Sequence, residues 1–283
     1  MENNMKIVYL ATPLFGATIL EKLIKAGQKP FLVVTEPDKP SGRKQTIAPP
    51  PVKVLAEKYN IPVAQPEKIG QWRAELKKLE PDLGIIASYG QILPKEILDI
   101  PKYGFINVHP SLLPKYRGST PVQSAILNGE EKTGVTIMRV AEELDAGPIL
   151  LQEELAINEN ETFLSLHNRL ADLGAKMLLL AIPNLIAGRL APRNQDEAQA
   201  TFTKKFKAKD GLLDLKEPAE TTARKIRALN PEPGTYSIYN GKRLKILAAE
   251  EKQGRLIINQ IQLEGKKPMA FLEFLKGHKD FIC

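Results

Sequence analysis

The first 100 residues alternate between short apolar runs and amphipathic stretches, and this alternation is the feature that most constrains the fold. The apolar runs read MKIVYLA, PFLVVTE, IPVAQP and PDLGIIASYG, and helix-like segments such as GATILEKLIKAG separate them. Parallel strands need long crossover connections, which are usually helices. The pattern therefore predicts an α/β domain with a doubly wound, mostly parallel sheet that is covered by helices on both faces.

The sequence lacks the common motifs for binding a dinucleotide cofactor or a metal ion. The turn after the first run reads ATPLFG and lacks the G-x-G-x-x-G of a dinucleotide-binding site. The three histidines are far apart, and Cys283 is the single cysteine. We therefore expect no dinucleotide, no bound metal and no intramolecular disulfide.

The stretch GFINVHPSLLPKYRG holds the first candidate chemistry. If Phe105 to His109 is a strand, its period of two puts Asn107 and His109 on one face. Pro110 cannot continue a ladder, so the strand should end there and lead into a proline-stiffened loop. Ligands of open α/β sheets bind in such loops, at the carboxyl ends of the strands.

Asn107, His109 and a later Asp145 suit a reaction that builds negative charge on a carbonyl oxygen. An amide and a protonated imidazole can both donate to that oxygen, and a carboxylate can orient the imidazole. Other interpretations stay open for each residue alone. A histidine at a strand end is often structural, and an aspartate before Ala-Gly often only forms a turn.

These residues together resemble a known family. Asn107-Val108-His109, the run SLLPKYRG that follows and Asp145 resemble the formyltransferases that use 10-formyltetrahydrofolate, and the resemblance covers nearly the whole chain. It implies a Rossmann-like formyltransferase fold and an enzyme of protein biosynthesis. The implied reaction moves the formyl group to the α-amino group of methionine on initiator methionyl-tRNA, with Asn107, His109 and Asp145 as the catalytic residues.

The resemblance also implies where the folate co-substrate binds. The pterin would lie against the segment ASYGQILPKEIL and be enclosed by the SLLP loop and the turn of Asp145. The implied folate-binding residues are Tyr89, Gly90, Ile92, Leu93, Ser111, Leu112, Leu113 and Pro114.

A proline-rich stretch, EPDKPSGRKQTIAPPPVK, is predicted from its composition to be an irregular surface loop. It is either an ordinary flexible insertion or a functional loop. Members of the family that act on tRNA carry a Pro-Asp-x-Pro-x-Gly-Arg loop that enters the acceptor stem. This chain keeps that pattern, so the resemblance assigns tRNA binding to Gly42, Arg43 and Lys44.

The basic charge of the chain lies mainly in its last quarter. From Lys205 onward there are 16 Lys and Arg against 10 Asp and Glu, whereas the preceding residues carry 24 against 23. Such an excess either serves solubility or suits a polyanion such as RNA. The resemblance implies a small, shortened OB-like β-barrel domain here that contacts tRNA, with Lys266 and Lys267 in the interface.

We therefore predict a catalytic domain over residues 1–189, a linker over 190–203 and a tRNA-binding domain over 204–283. With no apolar run long enough to cross a bilayer and no export signal, we expect a cytoplasmic protein. We also expect a monomer. Three alternatives stay open: formyl transfer to an amino sugar nucleotide, hydrolysis of formyltetrahydrofolate, and an RNA-binding protein with an inactive enzyme-like domain.

Overall fold

The computed structural model describes residues 5–41 and 46–278. These residues pack as two compact units. The larger unit runs to Gly118 and also contains Gly134–Leu155 and His167–Phe202, and the smaller unit contains Ser119–Thr133, Ala156–Leu166 and the chain from Thr203 onward. The domain limits at residues 189 and 204 stay a prediction.

The regular elements follow the chain in this order. The strands are β1 (Ile7–Ala11), β2 (Leu32–Val34), β3 (Lys39–Ser41), β4 (Thr46–Ala48), β5 (Val63–Ala64), β6 (Leu83–Ala87), β7 (Phe105–His109), β8 (Lys132–Arg139), β9 (Ile149–Ala156), β10 (Tyr236–Tyr239), β11 (Lys242–Lys252), β12 (Arg255–Leu263) and β13 (Met269–Ala270). The α-helices are α1 (Leu14–Lys25), α2 (Pro51–Lys58), α3 (Arg73–Leu79), α4 (Lys95–Leu98), α5 (Pro121–Leu127), α6 (Phe163–Ile186), α7 (Ala219–Leu229) and α8 (Phe271–Gly277). Short 3-10 helices cover Ile69–Trp72, Glu197–Gln199 and Ala208–Gly211.

A seven-stranded sheet with the order β5-β2-β1-β6-β7-β8-β9 is the central element. The first five strands in this order pair in parallel, and β7 pairs antiparallel with β8. The four apolar runs of the first 100 residues become β1, β2, β5 and β6. The strand expected from Phe105 to His109 forms with those bounds as β7.

Helices pack closely on this sheet because small residues stand at the contacts. A Cβ at Gly16 of α1 would clash with Ala11 and with the carbonyl of Ala87. The buried hydroxyl of Tyr9 donates to the carbonyl oxygen of Gly16 at 2.7 Å, so β1 and α1 are also joined by a hydrogen bond. On α6, a Cβ at Gly174 would lie 2.7 Å from Cγ1 of Val108 in β7. The apolar face of β7 therefore points towards α6.

The proline-rich stretch is more regular than its composition suggested. Strands β3 and β4 pair antiparallel, with Lys39 opposite Ala48. Below them, Nζ of Lys53 lies 2.8 Å from Oδ2 of Asp38 and 2.9 Å from Oε1 of Gln65. The expectation of an irregular loop was wrong here, because these long-range polar contacts are not visible in local composition.

The smaller unit contains a four-stranded antiparallel sheet with the order β10-β11-β12-β13. The turn between β10 and β11 has positive φ at Asn240 (48°) and Gly241 (73°), as the Asn-Gly pair predicted. The sheet shares a core with α7 and α8, built from Leu213, Ile226, Leu244, Ile246, Ile261 and Phe274.

The predicted fold class is confirmed: a mostly parallel sheet with helices comes first, and a small antiparallel sheet follows. Among the described residues the second sheet has four strands, fewer than the five or so of an OB barrel. No helix in the described part of the chain is both long and apolar enough to cross a membrane.

Candidate active site

The two polar residues of β7 leave the sheet at its carboxyl end. The neighbours Ile106 and Val108 are fully buried on the opposite face, and Asn107 is half-buried. Strand β6 lies beside β7, with Ile86 opposite Asn107. The loops that follow β6 and β7 therefore start side by side at one edge of the sheet.

Asp145 approaches both polar residues of β7. Its Oδ2 lies 3.7 Å from Nδ1 of His109, an ion-pair distance, and its Oδ1 lies 3.5 Å from Nδ2 of Asn107. The backbone N–H of Gly118 also donates to Oδ2 at 2.8 Å. The structure thus brings together the three residues that the sequence predicted to be catalytic.

The ring of His109 lies between two acceptors and is 4% exposed. Its Nε2 lies 2.9 Å from the carbonyl oxygen of Tyr116, which can only accept, so Nε2 carries a proton. Its Nδ1 faces the Asp145 carboxylate. The 3.7 Å from Nδ1 to Asp145 is longer than a hydrogen bond, so an N–H at Nδ1 is left for a substrate oxygen.

Asp145 has positive φ (51°), a conformation that non-glycine residues rarely adopt. The turn also depends on Gly147, because a Cβ there would clash with the carbonyl oxygen of Arg139 at the end of β8. The carboxylate is therefore presented by a constrained turn that lies against the sheet.

The predicted folate-binding loop after β7 is held by its own hydrogen bonds. Ser111 is fully buried, and its hydroxyl donates to the carbonyl oxygen of Lys115 at 2.7 Å. The hydroxyl of Thr136 on β8 donates to the carbonyl of Ser111 at 2.7 Å, and it accepts from the backbone N–H of Leu113 at 3.2 Å. The amide of Gln152 donates to the carbonyl of Leu113 at 2.9 Å.

Side chains of this loop differ in their surroundings. Leu113 is buried against Met138 and Ile149, Leu112 lies over Gly134, and Pro114 is half-buried. The Ser111 hydroxyl and the Leu113 side chain are thus occupied by protein contacts. Their assignment to folate binding stays a prediction.

The other predicted folate-binding loop follows β6. Tyr89 and Leu93 are buried in the core, whereas Ile92 is 77% exposed and Gly90 has φ 93°. Burial, together with the charge of Glu36, raises the pKa of Tyr89. Its hydroxyl has no hydrogen-bond partner within the described residues. The backbone bend at Gly90 and the Ile92 side chain are among the exposed parts of this loop.

The predicted tRNA-binding residues fall in two separate parts of the sequence. Gly42, Arg43 and Lys44 fall outside the described residues, between β3 and β4 in sequence. Lys266 and Lys267 are exposed on the turn after β12. This turn is closed by a hydrogen bond from the N–H of Lys266 to the carbonyl of Leu263 at 3.0 Å.

Comparison with known proteins identifies the family. A model described as "Formyl transferase" matches residues 5–182, which is more than half of the chain. The chain belongs to the formyl transferase family. A second model, "Formyl transferase, C-terminal domain", matches residues 205–256.

Two curated relatives align with nearly the full length of the chain. The methionyl-tRNA formyltransferase of Halalkalibacterium halodurans is 44% identical over 301 residues, covering 96% of this chain and 95% of the relative. That of Bacillus subtilis is 42% identical over 300 residues, covering 96% and 94%. The whole chain is therefore homologous to proteins of this type.

Solved structures share the fold at low identity. The methionyl-tRNA formyltransferase from Clostridium thermocellum aligns with TM-score 0.63 and 20% identity, over 92% of this chain and 98% of its own. The sugar 3N-formyl transferase WlaRD, crystallised in the presence of dTDP and 5-N-formyl-THF, aligns with TM-score 0.64 and 21% identity, over 94% and 97%.

Sequence reasoning missed a group of residues that hold this family's site in place. The segment 195–202, within the predicted linker, contacts the loop 114–118 and the turn of Asp145 through Gln195, Glu197 and Thr201. Arg117, quoted in the loop motif without a role, is fully buried. Its charge was the one signal that could have directed attention to it, because a cation that becomes buried needs an acidic partner.

Metal ligation has no support from the described residues. Within residues 5–41 and 46–278, no three His, Cys, Asp or Glu side chains are grouped so that they could hold an ion.

Proposed function

We propose that this chain transfers the formyl group of 10-formyltetrahydrofolate to the α-amino group of methionine on initiator methionyl-tRNA. The proposal rests above all on the convergence of Asn107, His109 and Asp145 at the carboxyl end of β7. An amide, an imidazole and a carboxylate in contact are the groups that an acyl transfer without a covalent enzyme intermediate needs.

In the proposed reaction the neutral amine attacks the formyl carbon, and the carbonyl electrons move to oxygen. Asn107 and protonated His109 donate to this oxyanion. The C–N bond to the folate then breaks, and the proton released by the attacking amine passes to the departing folate nitrogen. Asp145 faces this exchange as the available base, so it both orients His109 and carries the proton.

Asn107 is placed to donate to an incoming oxygen. Its amide nitrogen has two hydrogens, and one of them faces Asp145 at 3.5 Å. Among the described residues, the second hydrogen has no protein acceptor. A substrate oxygen that binds here would therefore gain a donor without displacing an existing bond.

The folate donor is supported by the family and by the chemistry of the loop after β6. WlaRD, which shares the fold, was crystallised with 5-N-formyl-THF. In this chain the exposed side chain of Ile92 and the bend at Gly90 offer an apolar surface beside exposed backbone groups. A flat heterocycle with donors and acceptors along its edge suits such a surface. Leu112 and Pro114 of the loop after β7 would border it.

The tRNA acceptor is supported by the name of the full-length relatives and by the positive charge of the last quarter of the chain. Lysine and arginine bind the phosphates of RNA whatever its base sequence. Exposed cations such as Lys266 and Lys267 therefore suit a tRNA partner. A cytoplasmic location follows from the proposed role in translation. The monomeric state stays a prediction.

One assay separates the proposal from its alternatives. The protein is mixed with 10-formyltetrahydrofolate and charged initiator methionyl-tRNA, and N-formylmethionine, free formate and tetrahydrofolate are measured. Formylmethionine equal to the tetrahydrofolate released is expected. Formate alone indicates a hydrolase. Transfer only to an added amino sugar nucleotide indicates a sugar enzyme, and no turnover with any acceptor indicates an inactive RNA-binding protein.

A further inference from the structure

Gln195 connects the predicted linker to the turn that carries Asp145. Its amide Nε2 donates to the carbonyl oxygen of Asp145 and to that of Gly147, each at 2.8 Å. These two carbonyls lie on either side of Ala146. Both ends of the turn are therefore tied to one side chain from a distant part of the sequence.

The orientation of this amide is fixed by Arg117. The Oε1 atom of Gln195 accepts from Nε and Nη2 of Arg117 at 3.0 and 2.9 Å. A guanidinium can only donate and a backbone carbonyl can only accept. If the Gln195 amide were flipped, its NH2 group would face the donors of Arg117 and its oxygen would face the two carbonyl oxygens. Only one orientation therefore satisfies all four hydrogen bonds.

Arg117 is itself held by Glu197. The guanidinium is fully buried, and it forms a two-pronged ion pair with the carboxylate, at 2.9 Å from Nη1 to Oε2 and 2.6 Å from Nη2 to Oε1. This hydrogen bonding lowers the pKa of Glu197 and raises that of Arg117. Because a buried cation needs a compensating charge, Arg117 stays in place to fix Gln195.

Thr201 ties the same segment to the loop that contacts His109. Its hydroxyl accepts from the N–H of Tyr116 at 2.8 Å, and its carbonyl accepts from the N–H of Arg117 at 2.8 Å. The carbonyl of Tyr116 is the acceptor for His109 Nε2. The segment 195–202 thus contacts both residues that flank the imidazole. Thr201 contacts Tyr116, and Gln195 contacts Asp145.

We propose that Gln195 is a positioning residue for Asp145, an inference that rests on the proposed function. By holding the two carbonyls of the turn, it keeps Asp145 in its left-handed conformation with the carboxylate towards Asn107 and His109. It does not touch the reacting atoms. A displaced carboxylate should weaken transition-state contacts and leave ground-state substrate binding nearly unchanged, so kcat should fall while KM stays constant.

The sharpest variant is Gln195→Glu. It keeps the length of the side chain and an oxygen acceptor for Arg117, but it removes the N–H donors to Asp145 and Gly147. The matched control is Gln71→Glu, the same change at an exposed position of the larger unit outside this segment. Gln195→Ala is a second variant that removes the contacts without adding charge.

We expect kcat of Gln195→Glu and Gln195→Ala to fall about ten- to a hundred-fold, with KM for both substrates within about twofold of the wild type. Gln71→Glu should keep wild-type kcat, and thermal melting should show that all three variants fold. A Gln195 variant as fast as the control would overturn the inference while leaving the proposed function intact.

A measurement independent of activity tests the same point. The N–H of Gly118 donates to the Asp145 carboxylate, so its hydrogen exchange, followed by NMR, reports the position of that carboxylate. We expect at least about tenfold faster exchange in both Gln195 variants and no change in the control. Unchanged exchange would refute the positioning role. A wild-type protein that forms no formylmethionine would instead refute the proposed function, and the exchange result alone would then decide the role of Gln195.

Discussion

Oδ2 of Asp145 lies 3.7 Å from Nδ1 of His109, while the opposite ring nitrogen contacts the carbonyl of Tyr116. The imidazole therefore cannot rotate without losing a partner on each side. The same carboxylate oxygen, Oδ2, accepts a hydrogen bond from the N–H of Gly118. One acidic side chain thus connects the loop after β7 to the ring of His109.

The first prediction concerns Asp145→Asn. An asparagine oxygen can still accept from Gly118, so the fold should persist. The carboxylate that orients His109 and accepts the proton of the amine is replaced by a neutral amide. We expect turnover to fall about a hundred-fold or more, with an unchanged melting temperature. Single-turnover formyl transfer measures this, and turnover within threefold of the wild type would contradict it.

The second prediction concerns Asn107. Removal of one oxyanion donor costs about 3–4 kcal/mol of transition-state stabilisation, so Asn107→Ala should lose roughly a hundred- to a thousand-fold in kcat. Asn107→Asp, which has the same shape but no N–H donor, should lose at least as much. Circular dichroism should show an intact fold for both. A folded Asn107→Ala enzyme with full turnover is incompatible with the assignment.

The third prediction is a pH dependence at the base of the β3–β4 hairpin. Hydrogen bonds from Lys53 and then Gln65 lower the pKa of Asp38 below its ordinary value of 3.8. Because the folded pKa is the lower one, this contact stabilises the fold above the unfolded pKa, and the stabilisation is lost as pH falls through the folded pKa.

Lys53→Met should therefore melt at a lower temperature than the wild type at pH 7, and the difference should shrink below about pH 4. Lys29→Met, at an exposed position, is the control and should match the wild type throughout. Thermal melting from pH 3 to pH 8 measures this. A difference that stays constant down to pH 3 would show that Lys53 stabilises by packing rather than by charge.

The fourth prediction concerns the cations assigned to tRNA. Arg43→Ala, and separately the double variant Lys266→Ala with Lys267→Ala, should raise KM for the charged tRNA and leave KM for the folate unchanged. Each lost phosphate contact should also reduce the slope of log affinity against log salt by about 1. Lys29→Ala serves as the matched control. Equal effects on both substrates would argue against tRNA contact.

Much of the fold was predictable because its signals are local. Strand β7 formed from Phe105 to His109, since a short apolar run before proline has few other options. The hairpin at Asn240-Gly241 formed because that pair tolerates positive φ. The β3–β4 hairpin was missed, because Lys53 and Gln65 hold its base from elsewhere in the chain.

By itself the sequence determined the alternation of strands and helices, the residues of β7 and the types of side chain available for chemistry. Periodicity and proline act between neighbours, so these features are readable from the chain alone. Only the tertiary structure decided that Gln195 and Glu197 meet Arg117, 78 and 80 residues away. A buried cation demands an acidic partner, but nothing local says which one. Only in the folded protein does the polar segment 195–202, which reads as a linker in the sequence, contact the turn that carries Asp145.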